Sequence, residues 1–396
     1  PTTEEEVDRC VECGYCEPVC PSRDLTLTPR ERIVLRREIA RAEAAGDEEL
    51  TRTLRSEYDY DGIDTCAVDG MCQTACPVFI NTGDLVRRLR QENTNTIEEA
   101  GWNTAAKAWG LVSSVGGVAL SSAKAMPTQL PAAATGVGRK ILGDDTVPSY
   151  SADLPAGGSK RVAVSASNPD VVWFSSCTNT MFGPEDGGSG DGVAGAFRRL
   201  CERAGISLRT PRGIPSLCCG TPWKSKGMAE GYATMRKYVR RELWAATDGG
   251  RIPVVCDASS CTEGLRVLLG DATESTDKDA AEDFEIIDAV AFATQTLLPA
   301  LQDRGALSTE HRLPSITLHP TCSSTQLGIN EDLSALAGSI AEEVACPIPG
   351  AAVPSQGTGA CSIPSSPLRR RRTKPPRLSR SARTFTRRRT GRVRSG

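Results

Sequence analysis

The chain has 396 residues, with 47 Lys and Arg against 49 Asp and Glu, 39% hydrophobic and only 5% aromatic residues; at ~100–200 residues per domain, that length makes two or three domains. Its 16 cysteines stand at short, regular spacings, below the density of a disulfide-stapled secreted scaffold, and no uncharged apolar run reaches the ~18–20 residues of a membrane span. A secreted disulfide protein and an integral membrane protein are thereby excluded, leaving a reduced, intracellular, metal-binding chain.

Residues 1–95 read as a helical domain around two iron–sulfur clusters. Cys10-x2-Cys13-x2-Cys16-x3-Cys20-Pro21 is the bacterial ferredoxin run. Three cysteines two residues apart wrap three corners of a cubane, and the fourth, before Pro21, reaches the other cluster. A zinc site would pair two Cys-x2-Cys knuckles and carry no fourth Cys-Pro. The partner run is Cys66-x5-Cys72-x3-Cys76-Pro77, and its missing second cysteine falls at Asp69. Crossed ligation gives Cys10, Cys13, Cys16 and Cys76 to one cluster, and Cys20, Cys66 and Cys72 to the other. Asp69 is either a hard, weak fourth ligand, leaving a labile or three-iron cluster, or a turn residue beside Gly70. Between the runs, Thr28-Pro29-Arg30-Glu31 predicts a capped helix start. The helix breaks near Gly46, a second runs from about Asp47 to Tyr58, and a third starts at Asp84. Clusters held between helices resemble the helical ferredoxin arrangement of multi-subunit flavin dehydrogenases.

Residues 96–168 read as helical and linker sequence. Trp102 and Trp109 fall on one expected helix that packs on a neighbouring domain. Gly110–Leu120 is apolar but too short to span a bilayer; docking at a membrane surface or on a partner is the other reading. Pro148–Pro169 reads as linker.

Residues 169–346 alternate strand and helix, as in α/β units with a mostly parallel sheet whose ligand sites lie at carboxyl strand ends. A strand at Val171–Phe174 delivers Cys177. A helix near Gly195–Ala204 follows, with Cys201 in the core, then a strand at Ile206–Arg209 and Cys218-Cys219-Gly220. After a long helix through Met235 and Leu243, the strand Ile252–Cys256 leads to Cys261 at the next helix start. A second, incomplete copy begins at Ile316-Thr-Leu-His319-Pro-Thr-Cys322. Cys177, Cys218, Cys219, Cys256, Cys261 and Cys322 are expected to gather at one sheet edge. Metal or cluster binding, thiol redox chemistry and buried packing are the three readings of that group. His319 is a polar strand-end residue or a neighbour of the centre.

From Pro347 to Gly396 there is no Asp or Glu, and 13 basic residues fall between Arg369 and Arg394. Without them, 34 basic residues face 49 acidic ones, a net of −15. Such a tail cannot build a core and is expected to be disordered. A nucleic-acid arm is the lesser reading, and no nucleic-acid partner is expected. A shifted reading frame accounts for the tail better, because the text after Gly350 then admits the Cys-Cys-Gly that the second repeat lacks. The opening at Pro1, ten residues from a cluster motif, reads as a piece of a longer chain.

The two ferredoxin runs, Asp61–Pro77, Leu217–Gly220, Cys256–Cys261 and His319–Cys322 together resemble the C-terminal half of the FAD-linked, cytochrome-type D-lactate dehydrogenases. More distantly they are similar to the iron–sulfur subunit of glycolate oxidase and to heterodisulfide reductase subunits. The resemblance covers about residues 5 to 345. It implies FAD on an N-terminal domain absent from this sequence, and electrons passed through the clusters to a quinone or cytochrome. The chain alone, with no flavin fingerprint, is expected not to oxidise lactate. The expected fold is α+β and multidomain: a helical two-cluster ferredoxin domain, cysteine-rich α/β repeats and a disordered basic tail. The rivals are a stand-alone heterodisulfide-reductase-like or glycolate-oxidase-like subunit, and a ferredoxin-like carrier. The expected location is the cytoplasm, with peripheral attachment at the inner face of the membrane as a further reading.

Overall fold

The computed structural model describes residues 2, 4–142, 147–184, 192–270, 284–307 and 312–346. The expected disordered tail, with its frame change, and His311 lie outside the described residues. What is described is mixed helix and sheet.

The first unit holds α1 (Glu5–Arg9), α2 (Pro29–Ala44), α3 (Glu48–Tyr58), α4 (Met71–Thr74) and α5 (Thr82–Asn93), with a π-turn over Asp59–Asp64. Thr28 and Glu31 close the expected capping box on α2. Asp47 caps α3, its carboxylate accepting from the Leu50 amide at 3.0 Å. The third helix starts two residues before its expected place, because Asn81 accepts from the Gly83 amide at 2.9 Å and acts as the cap. Val7, Ile33, Tyr58, Leu85 and Val86 form the core between these helices. Arg36 pairs with Glu4 at 2.7 Å and Arg88 with Glu6 at 2.9 Å, which fastens the segment before the first cysteine run to α2 and α5.

Three helices connect the units: α6 (Thr96–Lys107), α7 (Trp109–Lys124) and α8 (Gln129–Leu142). The expected single helix through both tryptophans is broken at Ala108, whose φ of −111° and ψ of 23° end α6. The break turns both rings onto Trp223, with ring centroids 6.5 Å away for Trp102 and 4.8 Å for Trp109. Along α7, Leu111, Val115 and Val118 stay exposed. Among the described residues, no helix is long and apolar enough to cross a membrane.

The second unit runs β1 (Val171–Phe174), α9 (Thr178–Met181), α10 (Gly192–Ala204), β2 (Leu208–Arg209), α11 (Thr221–Lys226), α12 (Ala229–Ala246), β3 (Val254–Cys256), α13 (Ser259–Gly270), β4 (Ile286–Asp288), α14 (Ala289–Phe292) and α15 (Leu298–Asp303). Its four strands lie in the order β2-β1-β3-β4, all parallel. Strand alternation splits the apolar side chains between two cores. Val172, Phe174, Val254 and Cys256 face α12 and α13, while Val171, Trp173 and Val255 face α10, α14 and α15. The segment expected to begin a second copy holds β5 (Leu313–Thr317), α16 (Cys322–Gln326), α17 (Asn330–Ile340) and β6 (Ala341–Ala345), its two strands paired in parallel. As with β1 and β2, two helices separate two parallel neighbours. The strand ends at Thr317, before the exposed His319.

Candidate metal centres

The two cysteine runs of the first unit fold over each other and leave two hollows. One is lined by Cys10, Cys13, Cys16 and Cys76, closed by Ile33, Ile80 and Arg30. The other is lined by Cys20, Cys66, Cys72 and Asp69, with Arg32 and Gly83. Each run therefore sends its last cysteine, the one before proline, into the other run's hollow. Among the described residues, no set of three or more His, Cys, Asp and Glu side chains closes around a single ion. A cubane spreads its ligands over separate corners, wider than one ion would.

The backbone explains why Asp69 lies where a cysteine would. Glu12 and Gly14 flank Cys13 with φ of 59° and 85°, and Val68 and Gly70 flank Asp69 with φ of 55° and 72°. A β-branched Val in that region is strained, so the surroundings enforce the loop shape. Asp69 thus repeats the position of Cys13. Its Oδ1 accepts from the Met71 amide at 3.3 Å, which is the turn role, while its Oδ2 lies 3.2 Å from Cys322 Sγ. Charge behind this hollow comes from the wholly buried Arg32. Its guanidinium donates to Gly62 O at 2.8 Å and to Thr65 Oγ1 at 3.2 Å, and stands 3.9 Å from Cys20 Sγ. A cation so placed offsets the negative charge that thiolates bring.

At the carboxyl ends of β1 and β3, a third group of sulfurs forms. Cys177 and Cys218 lie 3.9 Å apart, and Cys219 adjoins both Cys218 and Cys261. Contact with Cys218 and Cys261 holds the Cys219 thiol well below the usual thiol range, while among these neighbouring sulfurs Cys218 is held well above it and Cys177 below. Cys256 is fully buried in the same core, where desolvation pushes its thiol well up. The sixth expected member, Cys322, is paired with Asp69 of the second hollow and so departs from the expected gathering. Gly220 of the Cys-Cys-Gly has φ of 87°, and a Cβ there would come within 2.8 Å of Leu268 and 2.9 Å of Tyr232. Glycine is what lets two adjacent cysteines turn inward at the start of α11.

Two residues that the sequence reading passed over organise this site. Arg161 is buried and donates to the carbonyls of Ser175 at 3.0 Å, Pro215 at 3.0 Å and Leu217 at 2.9 Å. That ties the loops carrying Cys177 and Cys218 together, although desolvation lowers its guanidinium from the ordinary value. Asp257 accepts from the Ser176 amide at 2.7 Å and Asn179 Nδ2 at 2.8 Å, locking the end of β3 to the end of β1. Its burial raises the carboxyl. Position directly after a strand-end cysteine was the signal for Asp257; Arg161, in an expected linker, offered none. Cys201 is buried on the far face of the sheet, as core.

Residues 6–80 match the family model described as the 4Fe-4S dicluster domain. The first unit is a 4Fe-4S dicluster domain. Its donor set fits the group, since thiolates are the ligands of iron–sulfur clusters. The likeness to curated proteins is thinner. The D subunit of the dihydromethanophenazine:CoB–CoM heterodisulfide reductase of Methanosarcina barkeri (strain Fusaro) is 29% identical over 105 residues, 24% of this chain and 25% of that protein. Its counterparts in Methanosarcina mazei and Methanosarcina acetivorans are 30% identical over 105 residues, with the same shares. The chain spans about a quarter of the length of these curated relatives. No solved structure matches it. The match over residues 6–80 supports iron–sulfur electron transfer in the first unit.

Proposed function

We propose that this chain is the electron-transfer part of a flavin-dependent D-2-hydroxyacid dehydrogenase of the D-lactate type, relaying electrons from FAD on another domain or subunit to a quinone or cytochrome. The observation that carries the relay is the succession of three sulfur-lined sites in one packed chain, two in the dicluster domain and one at the Cys-Cys-Gly. The motif resemblance through Cys322 supports the dehydrogenase. Iron–sulfur clusters, when bound, supply one-electron steps, which lets a two-electron donor discharge in halves. Cys10, Cys13, Cys16 and Cys76 would hold the first, and Cys20, Cys66 and Cys72 three corners of the second. Cys177, Cys218, Cys219, Cys256 and Cys261 would hold a further iron–sulfur or metal centre. Arg32 and Arg161 supply buried positive charge beside the second and third sites. Water is kept from the third by Trp109, Trp223 and Met235 in the same core.

A second reading is favoured by the relatives: a disulfide-reducing subunit in which the Cys-Cys-Gly site itself does the chemistry. Anaerobic purification, followed by iron and acid-labile sulfide analysis, tests the relay. Roughly seven or eight irons are expected from the dicluster domain alone, on its ligand count. Colourless protein carrying zinc would overturn it. Reduced viologen dye and a disulfide substrate then separate the two readings, since turnover of the disulfide is expected only of the second.

A further inference from the structure

We propose that Cys322, carried by the second cysteine-rich repeat, is the fourth protein ligand of the second cluster, and that Asp69 is the positioning residue that holds its thiol at that corner. The inference rests on the reading of the second hollow as a cluster site. That hollow has three cysteines and, at the place corresponding to Cys13, Asp69. Cys322 Sγ is 3.2 Å from Asp69 Oδ2, bridging 253 positions of sequence. A soft thiolate is the stronger partner for cluster iron, and a carboxylate the weaker. With the Cys322 thiol 3.2 Å from the carboxylate that lines this corner, sulfur is the better ligand within reach. Asp69 also has another task, because its Oδ1 closes the turn to Met71.

Cys322 is held there from two sides. It opens α16, where Thr321 accepts from the Ser324 amide at 3.1 Å and fixes the first turn. On one flank, Ser323 Oγ donates to Glu263 Oε2 at 2.6 Å, fastening α16 to α13 of the Cys-Cys-Gly site. On the other, Gln326 lies over Gly70, where a Cβ would come within 2.9 Å of Gln326 Nε2. Cys322 is also exposed, so its side chain has freedom to swing from Asp69 toward the hollow. On ligation the S–H bond breaks, its proton leaves through the Asp69 carboxylate to water, a sulfur–iron bond forms, and no electron changes hands.

The test is made on the full chain, purified without oxygen, by electron paramagnetic resonance, Mössbauer spectroscopy and iron analysis. Wild type is expected to carry four irons at the second site; Asp69→Ala, which frees the Cys322 thiol without removing it, is expected to keep them as prepared but to lose the fourth iron faster than wild type on exposure to oxygen. Cys322→Ala is expected to lose about one iron per chain and to show the three-iron signal on oxidation. The isosteric Cys322→Ser is expected to lose the same iron or to shift the midpoint potential of that cluster. In every variant the signal of the first cluster reports that the domain has folded. A three-iron second cluster in wild type would overturn the proposal. So would a Cys322→Ala protein identical to wild type, or a three-iron signal that follows Asp69→Ala and not Cys322→Ala. Absence of any cluster from wild type would instead sink the reading beneath it.

Discussion

Cys201 shows how little a cysteine says without its surroundings. It lies on α10 with no exposed surface, packed among Trp173, Phe197 and Phe292. Burial pushes its thiol up to about 12, against about 8.5 in an unfolded chain. A raised value means that the neutral thiol stabilises the fold fully below about pH 8.5, and that this contribution fades as pH climbs toward the folded value. Cys201→Ala should cost about 1 kcal/mol at pH 7, for the lost packing. The same variant should lose stability less steeply than wild type between pH 8.5 and 10. Urea unfolding followed by tryptophan fluorescence checks both; parallel pH slopes would refute the assignment. Sequence could place Cys201 in the core, because it falls on a helix. It could not find Arg161, whose three carbonyl partners come from loops 14 to 56 residues away.

Among the elements, β1 and β3 were plain to read: short apolar runs ending in cysteine, bounded by turns. Cap chemistry likewise places the start of α2, and α3 runs within a residue of its expected bounds. The single helix through Trp102 and Trp109 failed because Ala108, a strong helix former, carries no local sign of a break. The break comes from packing, since both rings must reach Trp223 and its indole N–H donates to Trp102 O at 2.9 Å. Trp223 sits one turn past the Cys-Cys-Gly and is completely buried. Trp223→Ala should destabilise the second unit by about 3–5 kcal/mol and release α6 from α12. A melting temperature within a degree or two of wild type would show that this aromatic trio is dispensable.

In the whole molecule, the joints between units are where sequence is silent. Arg90 leaves α5 and donates to Ile63 O at 2.8 Å, Cys66 O at 2.9 Å and Ser225 O at 2.6 Å. One side chain thus binds the loop of the second hollow to the helix that follows the Cys-Cys-Gly. Nothing in the spacing of arginines announces it, because its acceptors are backbone carbonyls set by the fold. Arg90→Met should leave these carbonyls without their charged donor, at about 1–3 kcal/mol. Hydrogen exchange read by mass spectrometry should quicken around 63–66 and 221–226; unchanged exchange at both would deny the joint.

The exchange of final cysteines between the two runs has an evolutionary and engineering corollary. Cys76 lines the hollow of the first run and Cys20 that of the second, so neither half can be duplicated, transplanted or deleted by itself. Recombination has a safe seam only outside the whole span from the opening helix to the close of α5. A scaffold designer grafting one centre from this chain inherits both.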